Sequence, residues 1–298
     1  MKILRFFHSM PSLKNGVFIS LMAAAFPLFG GEYVFFSPEA VQSHLRDYNA
    51  LEKRAVEQDL AIVRAACERG GKEDSFSSPV YLATAGAPGA RKSTILERFL
   101  ETQTEIAYHP YYITKYNDYM YARKAAYTKW RGASNYIALT LLEEAFSQKR
   151  SVAHGTTSTG AHVPYFLQKV KNAGYEVVLL LCSCEDALKK QAIEYRNQVQ
   201  KFYQSTSEDA LKKAKLFPER MSAYFSYADT LHLFWSDDLE TQERLAAIFS
   251  NGKIEVVDEG ALEKFQQKFE KDRNRLEKEG KKIPSWSNLL NLYHHRFS

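Results

Sequence analysis

Gly86-Ala87-Pro88-Gly89-Ala90-Arg91-Lys92-Ser93-Thr94 gathers small residues, one lysine and two hydroxyls into a single short segment. Residue types at this spacing suit the capture of a phosphate chain. Small side chains let main-chain N–H groups converge on anionic oxygens. A helix beginning at the end of the segment adds its unpaired N–H groups and positive dipole. Lys92 is the point charge for the terminal phosphates, and Ser93 offers a hydroxyl to Mg²⁺. Thr94 caps the same turn. Against the pattern G-x-x-x-x-G-K-[ST], one fixed position departs: Arg91 stands where glycine is usual. If that position needs a positive φ, a side chain there costs on the order of 1 kcal/mol. A guanidinium beside phosphate is the expected compensation.

Such a loop works only between a strand and a helix. Pro79 to Thr84 (PVYLAT) reads as a buried strand, and Ser93 to Glu101 as the following helix. Further apolar runs alternate with helical patterns. Strands are expected at Ile106–Tyr108, Ser151–His154, Glu176–Cys182, Leu231–Trp235 and Lys253–Val257. A helix is expected over about Asn135–Gln148, and another ending at Gly174. Alternating elements imply an α/β fold, a mostly parallel sheet covered by helices on both faces. Upstream, Ser37-Pro38-Glu39 starts one helix that runs through Ala66 to Gly70-Gly71. Downstream, Ala261–Lys282 reads as a charged helix with Leu262, Phe265, Phe269 and Leu276 as its seam. Pro284 ends it, and the amphipathic stretch after it docks on the core.

The expected organisation is a segment over 1–31, a helical extension and linker over 32–78, a phosphate-binding core over 79–258, and a helical extension over 259–298. In the first segment, Lys2, Arg5 and Lys14 precede an uncharged apolar stretch over 16–31. This pattern reads as a secretory signal or membrane-associated segment, which makes the protein exported or membrane-associated. A buried N-terminal helix, or a start at Met10, would leave it cytoplasmic. The chain has 298 residues, 45% hydrophobic and 25% charged, with a net charge of +5. A globular protein with an anionic ligand fits these values, and nucleic acid is not expected. Cys67, Cys182 and Cys184 do not form a disulfide framework. Cys182 and Cys184 alternate on one strand face and read as buried thiols.

The chain resembles the zeta toxin family of P-loop kinases through Ala85–Thr94 (AGAPGARKST), Ala126–Asn135 (AYTKWRGASN), His154–Gly160 (HGTTSTG) and Gly174–Cys182 (GYEVVLLLC). The resemblance covers residues 79–258. It implies transfer of a phosphoryl group from ATP, or another nucleoside triphosphate, to the hydroxyl of a small acceptor. In the best-known members the acceptor is UDP-N-acetylglucosamine. It also allows for a separate antitoxin chain. Gly86, Gly89, Lys92, Ser93 and Thr94 match the family's nucleotide loop. Gly155 and Thr156, with Thr157 next to them, match the segment lining its acceptor site. Arg196 resembles a helical arginine that clamps the transferring phosphate.

Two departures bear on catalysis. The family places a catalytic aspartate just after its second strand, and this chain has no aspartate between the loop and Asp118. Many members carry glutamate before the Gly-Thr pair, where this chain has His154. Asp118, His154, Glu143 and Glu144 remain the candidates for the base that accepts the hydroxyl proton. Eight of the eighteen tyrosines fall within residues 108–136, with Trp130 among them. These rings suit either a sugar or nucleobase acceptor or a packed helical subdomain. Lys129 and Arg131 flank Trp130 and could meet anionic acceptor groups. An active kinase and a catalytically weakened, nucleotide-binding pseudokinase both follow from this set.

Overall fold

The computed structural model describes residues 35–68, 78–102, 107–109, 123–198 and 206–297. The apolar segment at 16–31 and Asp118 lie outside them. None of the described helices is long and apolar enough to cross a membrane.

A seven-stranded sheet organises the chain, in the order β2-β3-β1-β4-β5-β6-β7. Its strands are β1 (Val80–Ala85), β2 (Ala107–His109), β3 (Val152–His154), β4 (Glu176–Cys184), β5 (Thr230–Ser236), β6 (Arg244–Ser250) and β7 (Lys253–Val256). The first five are parallel, with Leu82 opposite Ala153 on one side and Val178 on the other. β6 and β7 add an antiparallel edge. β1 and nearly all of β4 are buried along their length, as expected of central parallel strands covered on both faces.

Helices α1 (Pro38–Ser43), α2 (Ala50–Glu68), α3 (Lys92–Thr102), α4 (Arg123–Ser147), α5 (Val163–Asn172), α6 (Asp186–Gln198), α7 (Ser207–Tyr227), α8 (Glu259–Lys278) and α9 (Trp286–His295) complete the described elements. Ile95 and Leu96 of α3 and Leu188 of α6 cover one sheet face, over Leu82, Leu180, Cys182 and Cys184. Phe146, Leu167, Met221, Phe265 and Leu289 of α4, α5, α7, α8 and α9 cover the other, over Tyr81, Leu179 and Leu231. The C-terminal helices therefore share the main core with β5 and β6. The thiols of Cys182 and Cys184 are free and buried.

Three expectations are corrected. The helix expected to run unbroken from Ser37 to Ala66 is two helices. Ser37 Oγ caps α1 by accepting from Ala40 N at 3.2 Å. Asn49 and Glu52 then form a capping box, each side chain accepting the other's N–H at 2.9 and 3.0 Å, which starts α2 afresh. The charged C-terminal helix stops at Lys278 rather than Lys282, because Gly280 takes φ +82°. Strand β6 was not expected at all. It is held in a hairpin with β7, Ser250 pairing with Lys253 across Asn251-Gly252, both in the left-handed region.

Candidate functional site

The phosphate loop bridges the carboxyl end of β1 and the start of α3, so the strand, loop and helix order is realised. Its two glycines are required by close backbone approach. Gly86 has φ +146°, and a Cβ there would lie 2.3 Å from the carbonyl oxygen of Cys182 on β4. Gly89 has φ +84°, and a Cβ there would lie 2.4 Å from the carbonyl oxygen of Lys189 on α6. The loop is thus pressed between β4 and α6. Ala87 and Ala90 are buried, Pro88 is buried beside them, and Ser93 is exposed in the first turn of α3, with Thr94 half-buried next to it.

Lys92 donates from Nζ to the carbonyl oxygen of Ala87 at 2.7 Å, curling over the loop. Burial lowers its pKa from 10.5 to about 8, and the nearby positive charges of Arg196 and Lys213 push the same way. Positive charges on α6 and α7 therefore reach the lysine at the start of α3, against an opposing effect of the Cys182 and Cys184 thiols. A bound anion would favour the charged form of Lys92. Lys213 was missed by sequence reasoning. It sits in a lysine-bearing stretch of α7, and only the phase of that helix separates it from Lys212.

Arg91 does adopt a positive φ, +55°. Its expected place near phosphate is corrected. Nη1 donates to the carbonyl oxygens of Asp238 at 2.9 Å and Thr241 at 2.7 Å. Nη2 pairs with the buried Glu243 carboxylate at 2.8 Å. The guanidinium is spent on the β5–β6 connection.

Gly155, Thr156 and Thr157 follow β3 and are wired to the phosphate loop. Thr84 Oγ1 donates to Thr156 O at 2.6 Å and accepts from Thr156 N at 3.0 Å. Gly86 N donates to Thr157 O at 3.0 Å. Ser158 Oγ donates to Thr84 O at 2.9 Å, Tyr224 Oη donates to Ser158 O, and Arg220 Nε donates to Gly160 O at 2.9 Å. The HGTTSTG segment and the loop after β1 form one hydrogen-bonded surface at the carboxyl ends of β1 and β3, where parallel sheets hold their ligands.

His154 ends β3, with Nδ1 3.0 Å from Tyr81 Oη. If Nδ1 carries the proton and donates to Tyr81, Nε2 is the acceptor a base requires. In the other tautomer Nε2 is a donor. Glu143 and Glu144 are corrected as base candidates. The Glu143 carboxylate accepts from Phe35 N and Phe36 N at 3.1 and 2.7 Å. Glu144 is gripped by Arg64 at 3.0 and 2.6 Å. Trp130 is corrected as an acceptor-binding ring. It is 4% exposed and packs on Tyr48, with centroids 5.4 Å apart, in a cluster that fastens α1 and α2 to α4. Arg131 lies on the exposed side of α4.

No family model matches the chain, and no curated protein matches it. Among solved structures, the crystal structure of AvrRxo1-ORF1:-ORF2 with ATP matches at 12% identity. That match covers 94% of this chain and 97% of that one, with a TM-score of 0.52. A chain of the PezAT chromosomal toxin–antitoxin system of Streptococcus pneumoniae matches at 18% identity over 78% of this chain and 98% of that one, with a TM-score of 0.48. With the strand order and the loop between β1 and α3, the match above a TM-score of 0.5 shows that the chain has a P-loop α/β fold shared with the AvrRxo1-ORF1:-ORF2 structure.

Proposed function

We propose that the protein is an ATP-dependent phosphotransferase acting on a small hydroxyl-bearing acceptor, with a nucleotide sugar as the first class to test. One observation carries the reading: a glycine loop too tight for any Cβ at Gly86 or Gly89 leads into the helix that starts with Lys92, whose ammonium curls over the loop onto Ala87 O. The residues fit a triphosphate. The loop amides from Gly86 to Thr94 would cradle its phosphates, Lys92 would leave the Ala87 carbonyl for them, and Arg196 and Lys213 would balance charge on the transferred group. Ser93 would hold Mg²⁺. Bound Mg·ATP supplies the phosphoryl group. Gly155, Thr156 and Thr157 are the acceptor side of the surface, and His154 or Asp118 the base.

A toxin-like role with a separate antitoxin chain is supported by the neighbours, which are described as parts of a toxin–antitoxin system and of a two-protein complex. A nucleotide-binding pseudokinase is the second reading. It is favoured by Arg91, whose charge is withdrawn from the phosphate site, and by Glu143 and Glu144, which are occupied elsewhere.

The test is Mg²⁺-dependent ATP turnover with a panel of sugar nucleotides, with Lys92→Ala beside the wild type. Product formed by the wild type and lost in the variant supports the kinase. Lys92-dependent ATP binding without product supports the pseudokinase, and no nucleotide binding by a folded wild type refutes both.

A further inference from the structure

The β5–β6 connection, residues 237–243, does more than join two strands. The Asp238 carboxylate accepts the N–H groups of Glu240 and Thr241 at 2.8 and 2.6 Å, and its second oxygen accepts from Thr241 Oγ1 at 3.0 Å. This turn aims the carbonyls of Asp238 and Thr241 at Arg91. Glu243, its side chain 2% exposed, closes the bracket. One carboxylate oxygen pairs with Arg91 at 2.8 Å and the other with Arg98, in the second turn of α3. A single buried carboxylate therefore holds both the last loop residue and the helix that the loop feeds.

Arg91 is held at φ +55°, a conformation that disfavours residues with a side chain. The loop motif places a positive φ here, where glycine is usual. The contacts that hold its side chain come from residues about 150 positions downstream. We propose that Glu243 is a positioning residue for nucleotide binding: acting through Arg91, it fixes the Lys92 and Ser93 amides in the geometry that glycine adopts without help. This rests on the nucleotide-site reading above. Without the Glu243 charge, the guanidiniums of Arg91 and the partly exposed Arg98 lose the carboxylate they share. Arg91 then relaxes toward negative φ and turns the next amides away from the phosphates.

The experiment measures Mg·ATP affinity by calorimetry on the full chain for wild type, Glu243→Gln, Arg91→Gly and the double variant, with a cooperative melt checked for each. Glu243→Gln is expected to weaken binding about tenfold. The same change in the Arg91→Gly background is expected to alter it less than about twofold, because Glu243 has nothing left to act through. Equal losses in both backgrounds, or no loss in either, overturn the proposal. Should Glu243→Gln not fold, Arg91→Lys decides. It keeps the strain and the charge but lacks the fork, so it should bind Mg·ATP more weakly than both wild type and Arg91→Gly. Wild-type affinity from Arg91→Lys overturns the proposal. A wild type that binds no nucleotide overturns it together with the nucleotide reading, and is told apart because Lys92→Ala then behaves as wild type does.

Discussion

Titrating nucleotide affinity against pH reads the Lys92 ammonium directly. Its pKa in the free protein is about 8, against an ordinary 10.5, because burial penalises the charge and Arg196 and Lys213 repel it. The folded value is depressed, so below about 8 both folded and unfolded chains carry the proton and the full cost of burying it is present. Between about 8 and 10.5 the folded protein has released a proton that the unfolded chain keeps, and stability rises with pH across that window. A bound triphosphate reverses the preference, since its negative charge favours protonated Lys92. If the complex restores the unburied value, binding takes up a proton above about pH 8. Affinity then falls about 25-fold between about pH 7 and about pH 9.5. Calorimetry in buffers of different ionisation enthalpy measures both the affinity and the proton uptake. Lys92→Met should bind more weakly and show no such slope. A flat wild-type profile, or the same slope in Lys92→Met, would refute the placement of this lysine against the phosphates.

The same titration tests the other two cations. Arg196→Gln or Lys213→Gln should weaken binding several-fold and move the fall in affinity to higher pH, because each removes a charge that lowers the Lys92 pKa. Gly86→Ala should cost about 3 kcal/mol in urea unfolding and abolish nucleotide binding, since its Cβ would lie 2.3 Å from Cys182 O in a disfavoured φ. Trp130→Ala should cost about 3–5 kcal/mol of stability while leaving ATP affinity within about twofold, as expected of a core ring remote from the loop. Tyr81→Phe removes the hydroxyl at His154 Nδ1. If His154 is the base, turnover should fall and its acid limb should shift while the KM for ATP stays unchanged, which a purely structural histidine would not produce.

What could be read before the fold was known divides along how far each residue's partners lie. Gly86, Gly89 and Lys92 declare the phosphate loop because the motif is a local pattern of residue types, although the backbones that press on the two glycines belong to β4 and α6. The buried run of β4 and the Ser37 cap are legible for the same reason. The capping box at Asn49 and Glu52 and the turn at Asn251-Gly252 were equally local. A long apolar periodicity across the first and the short, alanine-bearing β6 before the second outweighed them. Trp130 is a different case. An aromatic-rich stretch has one composition whether its rings meet a ligand or Tyr48, so only packing decides.

Arg91 marks where local reasoning ends. Its positive φ followed from the motif, but the direction of its guanidinium depended on Asp238, Thr241 and Glu243, which no spacing rule connects to the loop. Lys213 is the converse, an undistinguished lysine whose charge reaches Lys92 only once α7 is in place. Phosphate binding is written mostly in main chain and is therefore local. The charge felt by Lys92 comes from side chains of separate helices and appears only once the fold has gathered them. On the kinase reading proposed above, a catalytic base would be of the second kind, which is why a loop that is plain in the sequence leaves the choice between His154 and Asp118 to the pH profile of turnover.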